Sequence, residues 1–175
     1  MGETWWISTN NIKEKYSLKK VMLSIWWDWK GIVYYELLPF NETINTIKYC
    51  SQLDSLKAAI DEKRPELANR HGVIFHQDNA RPHVSLTTQQ KLVKLGWDVL
   101  PHPPYSPDLA PSDFHLFRSL QNYLNGKTFT SLEECKMHLE QFFVQKPKKF
   151  WEDGIFNLPA RWQKVIVQNG EYIIK

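Results

Sequence analysis

Two apolar runs, Val-Met-Leu-Ser-Ile-Trp-Trp at 21–27 and Ile-Val-Tyr-Tyr-Glu-Leu-Leu at 32–38, flank Asp28-Trp29-Lys30-Gly31. Short runs rich in β-branched and aromatic residues, parted by turn residues, predict a hairpin in which Gly31 supplies a positive φ. The period changes after Asn45. Ile47, Cys50, Leu53, Leu56 and Ile60 recur every three or four residues, as on one face of a helix of about five turns that ends before Pro65. His71-Gly72 then introduces Val73-Ile74-Phe75, which reads as a short buried strand. Its polar end, His76-Gln77-Asp78-Asn79, emerges at the sheet edge where open α/β sheets place their clefts.

A helix over residues 84–95 closes at Gly96, a C′ glycine, and residues 97–100 form another strand, which makes the unit βαβ-like. Pro101, Pro103, Pro104, Pro107 and Pro111 impose a stiff loop. Beyond it Ser112 is expected to cap a helix carrying Phe114, Phe117, Leu120 and Leu124 and stopped by Gly126, which sets Asp113 in the first helical turn. Ser131 with Glu134 is a capping-box pair ahead of Leu132, Cys135, Leu139, Phe142 and Phe143. A final helix begins near Pro159, with Trp162, Val165 and Ile166 expected to face inward.

Composition narrows the class. The 175 residues suffice for one domain, expected to span 1–175 without repeat or linker. With 42% apolar and 23% charged residues, disorder and fibrous repeats are excluded, and charge or glycine interrupts each apolar run well short of a membrane span. Residues 1–10 do not read as a secretory leader, and Cys50 and Cys135 make neither a disulfide framework nor a zinc pattern, so a reducing intracellular compartment is the expectation. Eight tryptophans are a heavy load. Trp5, Trp6, Trp26, Trp27 and Trp29 are read as core residues, with one or two exposed enough for a dimer contact. A net charge of +3 permits a nucleic-acid partner without demanding one.

Asp78, at the end of a buried strand, and Asp113, at a helix start after a rigid loop, stand out by position. In a three-layer α/β fold these two places can converge, and adjacent carboxylates repel unless a divalent cation such as Mg2+ or Mn2+ lies between them. Two such ions would activate a water or 3′-hydroxyl against a phosphodiester. Each aspartate also has a plain reading, as a strand terminator or as a partner of the helix dipole. The histidines at 71, 76, 83, 102, 115 and 138 lack paired Cys/His or HExxH spacing, so structural zinc is not expected. His76, His83 and His115 are assigned to hydrogen-bonding the site loops, and His102 and His138 are given no special role. Arg81, the group Lys13, Lys15, Lys19, Lys20 and Lys30, and the group Lys146, Lys148 and Lys149 are candidates for phosphate contact or simply solvated cations.

His76-Gln77-Asp78-Asn79-Ala80-Arg81-Pro82-His83 and Tyr105-Ser106-Pro107-Asp108-Leu109-Ala110-Pro111-Ser112-Asp113-Phe114-His115-Leu116-Phe117 resemble the catalytic segments of mariner transposases, in the Tc1/mariner superfamily. The 34 residues between Asp78 and Asp113 match the spacing of the second and third members of that family's catalytic triad. Trp26-Trp27-Asp28-Trp29-Lys30-Gly31, Tyr35-Glu36-Leu37-Leu38-Pro39, Lys63-Arg64-Pro65-Glu66 and Leu158-Pro159-Ala160-Arg161-Trp162 extend the resemblance, which covers about residues 20–174. The chain is similar as well to the transposase-derived part of SETMAR proteins.

The resemblance implies an α/β, RNase H-like fold with a mixed central sheet flanked by helices. It also implies a divalent metal cofactor, Mg2+ or Mn2+, held by Asp78, Asp113 and a third carboxylate. It implies nicking and strand transfer of transposon DNA, a homodimer acting on transposon ends and target DNA, and nuclear location without membrane. Two departures accompany it. The family's N-terminal helix-turn-helix units are expected to be absent. Where the family carries its first catalytic Asp, this chain has Gly2-Glu3-Thr4-Trp5-Trp6, so that Glu3 takes that place and residues 1–20 read as a shortened first-strand region. The longer glutamate is expected to disturb a two-ion geometry, which makes activity weak or absent. Asp28, a turn residue, is no substitute. The competing readings are a catalytically dead DNA-binding or dimerising remnant and an RNase H-like nuclease unrelated to transposition.

Overall fold

The structure, a computed structural model, describes residues 2–9, 19–39, 42–69 and 72–173, without side chains for 2–9, 19, 20, 68 and 69. Lys13, Lys15 and His71, and the side chains of Glu3, Trp5, Trp6, Lys19 and Lys20, lie outside that description. Three strands, β1 (Gly2–Thr9), β2 (Lys19–Asp28) and β3 (Gly31–Leu37), form an antiparallel sheet in that order. Helices α1 (Thr46–Lys63) and α2 (Pro65–Asn69) lead to β4 (Ile74–Phe75), and α3 (Arg81–Val84) and α4 (Leu86–Leu95) lead to β5 (Asp98–Val99), parallel to β4. A π-helical segment (Ser112–Phe117) runs into α5 (Arg118–Leu124), followed by α6 (Leu132–Gln145), α7 (Lys148–Phe156) and α8 (Leu158–Val167).

β2 reads as an almost continuous apolar run because both its faces are buried. Val21, Leu23, Ile25 and Trp27 pack with Leu116, Leu120, Cys135, Leu139, Phe142 and Trp151 on one side. Trp26 packs with Val33, Tyr49, Leu53, Leu56, Phe75 and Trp97 on the other. The sheet is thus the middle of three layers. A bulge at Trp26/Trp27 lets consecutive residues Val33 and Tyr34 both lie on the α1 side, where Tyr34 stacks on Trp26 at 5.5 Å. Each fully buried aromatic contributes roughly 1.5–3 kcal/mol, so this double-sided strand supplies much of the stability.

The hairpin turn takes the predicted form, with Gly31 at φ 125° and Asp28 Oδ1 accepting from the Lys30 amide at 2.8 Å. Asn45 caps α1 through the Lys48 amide, Gly96 ends α4 in the left-handed region, and Ser131 accepts from the Glu134 amide. Glu134 completes its box one residue further back, on the amide and hydroxyl of Thr130.

Several expectations are corrected. Pro65 opens α2 rather than only ending α1, since proline is at ease at a first helical position. The helix expected over 84–95 is two, because Ser85, extended at ψ 150°, caps α4 afresh. Ile47 and Ile166 are exposed although their spacing matched a buried face, and Ile74 is exposed in a strand expected to be buried. Ser112 does not cap. Pro111 stands at that N-terminus, and the Ser112 side chain is turned into the core. Helix α7 was not anticipated, as Lys148, Lys149, Glu152 and Asp153 masked its inward residues, Trp151 and Gly154.

Candidate active site

Asp78 follows β4 by three residues, and Asp113 sits in the first turn of the π-helical segment. Segments of this kind recur at functional sites because they re-aim side chains without ending a helix. The two aspartates are near enough that the negative charge of Asp78 bears on Asp113. The tertiary structure therefore brings together the pair singled out from sequence. Glu3 lies on β1 opposite Ile25 in the register, and β1 runs beside the segment that carries Asp113.

The two carboxylates differ in their support. One oxygen of Asp78, Oδ1, accepts from the ring Nδ1 of His83 at 2.5 Å and from the Ala80 amide at 2.9 Å. Burial pushes its pKa up, but these hydrogen bonds and the neighbouring histidines outweigh burial and hold it below its ordinary value. Asp113 accepts no hydrogen bond from a described residue. Burial, and then the charge on Asp78, raise its pKa to about 6. The pair thus ionises first at Asp78, while Asp113 keeps its proton well above the usual carboxylate range. A half-buried carboxylate with no donor beside a second, ionised one is a poor arrangement by itself and a good one around a cation. Hard oxygen donors of this kind suit Mg2+ or Mn2+. Among the described residues no three His, Cys, Asp or Glu side chains form a metal-binding group, so a third carboxylate would have to come from outside them, as Glu3 would.

Asp113 is held in place by contacts reaching far along the chain. Trp27 Nε1 donates to Ser112 Oγ at 2.9 Å, and the Trp27 ring stacks on His115. His115 Nε2 meets the carbonyl of Phe150 at 2.7 Å and is held neutral chiefly by burial. Both rings lean on Gly154, where an added Cβ would lie 2.5 Å from Trp27 and 2.6 Å from His115. The proline loop is fastened by Arg161, whose Nη1 donates to the Asp108 carbonyl at 2.9 Å and whose guanidinium lies 3.8 Å from the Phe114 ring. Arg161 was visible in the sequence only as part of a motif match, with no hint of its partner. The Lys63-Arg64-Pro65-Glu66 motif likewise holds the hairpin. Arg64 grips Asp28 at 2.6 and 2.9 Å, Lys30 pairs with Glu66, and Lys63 Nζ donates to the Val33 carbonyl. Asp28 is thereby a structural residue.

Around Asp78, His76 and His102 face each other at 3.0 Å, and Asn79 Nδ2 donates to the His102 carbonyl at 2.8 Å. His102, expected to be idle, therefore joins the loop end of β5 to the strand that carries Asp78. Burial, then the neighbouring His102, lowers the pKa of His76 to about 4, so both rings are neutral at pH 7. A cleft of about 360 Å³ opens beside Asp78, lined by Asn79, His83, Leu92, Trp97, Pro101 and His102 among others. Arg81 is exposed at the start of α3, whereas Lys148 and Lys149 are each paired one turn on, with Glu152 and Asp153.

Residues 7–70 match the family described as transposase, partial DDE domain. The chain is 47% identical over 156 residues to the mariner Mos1 transposase of Drosophila mauritiana, covering 89% of this chain and 45% of that protein. It is 43% identical over 154 residues to the human histone-lysine N-methyltransferase SETMAR, covering 88% of this chain and 22% of that one. It spans less than half the length of either curated relative. The structure of the Mos1 transposase catalytic domain and raltegravir with Mg superposes with a TM-score of 0.93 at 43% identity, covering 99% of this chain and 84% of that one. The Mos1 mariner paired-end complex with Mn superposes at 0.89 and 39% identity, covering 99% and 56%. The fold is RNase H-like.

Proposed function

Since this chain belongs to the mariner transposases, as a catalytic domain of that family, we propose that it carries metal-dependent nicking and strand transfer of DNA on Asp78, Asp113 and Glu3. The observation that carries this reading is the half-buried carboxylate of Asp113, raised in pKa and accepting no hydrogen bond from a described residue, beside the ionised Asp78. Bound Mg2+ or Mn2+ would activate a water or 3′-hydroxyl and stabilise the leaving oxygen of the phosphodiester. Asp78 and Asp113 would hold it, the first already ionised and the second losing its proton as the cation binds. Arg81, exposed three residues beyond Asp78, is suited to a DNA phosphate. Transposon ends and target DNA are the proposed substrates, a homodimer the acting form and the nucleus the place, in keeping with the paired-end and strand-transfer complexes known for Mos1. Methyl transfer does not carry over from SETMAR, since the chain spans 22% of that protein and has an RNase H-like fold.

Glu3 in the first position supports impaired activity, because a side chain one methylene longer displaces its oxygens by about 1.5 Å where a catalytic constellation tolerates about 0.5 Å. The same residue favours a second reading, a folded and catalytically dead remnant that keeps its DNA or dimer contacts. Nicking of supercoiled plasmid with Mg2+ or Mn2+ separates the two. Nicking that disappears in Asp113→Ala supports an impaired but living site, and a rise in Glu3→Asp supports Glu3 as the cause. No nicking by either the parent or Glu3→Asp leaves the dead remnant.

A further inference from the structure

Asp78 is oriented by a set of contacts, buried on the His83 side, that its proposed ligand role does not itself require. His83 is 2% exposed and places Nδ1 on Asp78 Oδ1 at 2.5 Å. Because an ionised carboxylate only accepts, Nδ1 carries the hydrogen. The His83 ring lies against Tyr49 of α1, with centroids 4.1 Å apart. The Tyr49 hydroxyl donates to Gln77 Oε1 at 2.7 Å, and Gln77 Nε2 donates back to the His83 carbonyl at 3.0 Å. Tyr49 and Gln77 are themselves buried, and Tyr49 packs on Trp26 of the central strand. The path therefore runs from the sheet, through α1, to a single carboxylate oxygen. The Ala80 amide also bonds Oδ1 at 2.9 Å, and no described donor reaches Oδ2.

We propose that His83 is a positioning residue for Asp78: by occupying Oδ1 from a ring packed on Tyr49, with its backbone carbonyl held by Gln77, it leaves Oδ2 as the one oxygen offered to a divalent cation. This rests on the metal-binding reading of Asp78. A carboxylate free to rotate would present either oxygen, or both, and would lose its orientation each time the cation leaves. Partners of this kind, one step removed from the metal, change affinity by about 10- to 100-fold when removed.

The test is Mn2+ titration of the full chain followed by electron paramagnetic resonance, with thermal melting alongside, on the parent, Asp78→Asn, His83→Leu, His83→Asn and Tyr49→Phe. His83→Leu keeps volume but lacks a donor, and is expected to weaken Mn2+ binding about 10- to 100-fold. His83→Asn returns an amide N–H near the place of Nδ1, and is expected to recover most of that loss. Tyr49→Phe keeps the stacked ring but not the Gln77 bond, and is expected to weaken binding a few-fold without unfolding. If His83→Leu does not fold, the asparagine and phenylalanine variants decide. Affinity unchanged in His83→Leu, or equally poor in His83→Leu and His83→Asn, overturns the proposal, the second outcome marking a packing role alone. Equal Mn2+ binding by the parent and Asp78→Asn has a different signature. It removes the metal reading of Asp78, and the positioning role falls with it.

Discussion

Asp113→Asn is expected to stabilise the metal-free protein at neutral pH while removing a ligand. In the folded chain the Asp113 carboxyl has a pKa of about 6 against an ordinary 3.8, so the folded state binds this proton more tightly than the unfolded one. Stability from this group is therefore greatest in acid, falls as pH rises from about 4 to about 6, and is flat beyond. Two pKa units and a little more correspond to about 3 kcal/mol as an upper limit. Solvent screening at this half-buried site reduces that limit. The net expectation is about 2 kcal/mol in favour of the variant at pH 7.5, or roughly 4–8 °C in Tm for a chain of this size. At pH 4 both proteins carry a neutral group, and the gap closes. Melting should be followed with chelator at several pH values and then with Mg2+, which narrows the gap at pH 7.5 by binding the parent better. His76, buried and neutral with a pKa of about 4, makes both proteins less stable in acid, so the difference between the two carries the information. A variant equally or less stable at every pH would refute the account of Asp113 as an uncompensated carboxylate.

Gly154→Ala should destabilise the fold by about 1–3 kcal/mol despite the better helix propensity of alanine, because its Cβ would meet Trp27 and His115 at 2.5 and 2.6 Å; urea unfolding checks this, and a stabilised variant would show that the rings yield. Trp27→Phe keeps most of the buried ring but strands Ser112 Oγ, and is expected to cost about 2–4 kcal/mol in lost packing and an unmet hydrogen bond, measured by chemical denaturation. Arg64→Ala should cost about 1–3 kcal/mol by leaving Asp28 without its two-point partner, and Arg64→Lys should recover little, since an ammonium cannot reproduce the fork; melting curves of both decide.

What the amino-acid order by itself determined were the features closed within a turn or two of chain. The hairpin at Asp28–Gly31, the caps at Gly96 and Ser131, and the place of Asp113 in a first helical turn depend on neighbours a few residues away, and they stand where the pattern put them. The two aspartates were likewise legible as a pair, through strand-end and helix-start logic and through motifs that resembled a family. The tertiary structure alone decided which side of an element meets the core and which distant group answers which. Periodicity offered Ile47 and Ile166 to the interior, yet no neighbouring layer covers them. Ser112 has the chemistry of a cap, and a tryptophan 85 residues away takes its oxygen instead. The pairing of His76 with His102, of Arg161 with Asp108 and of His83 with Asp78 and Tyr49 joins separate elements. So does the raised pKa of Asp113, which exists only because burial and the charge of Asp78 arrive together. Local backbone preference acts over a few residues, whereas desolvation and side-chain partnership depend on what the completed fold brings within a few Å.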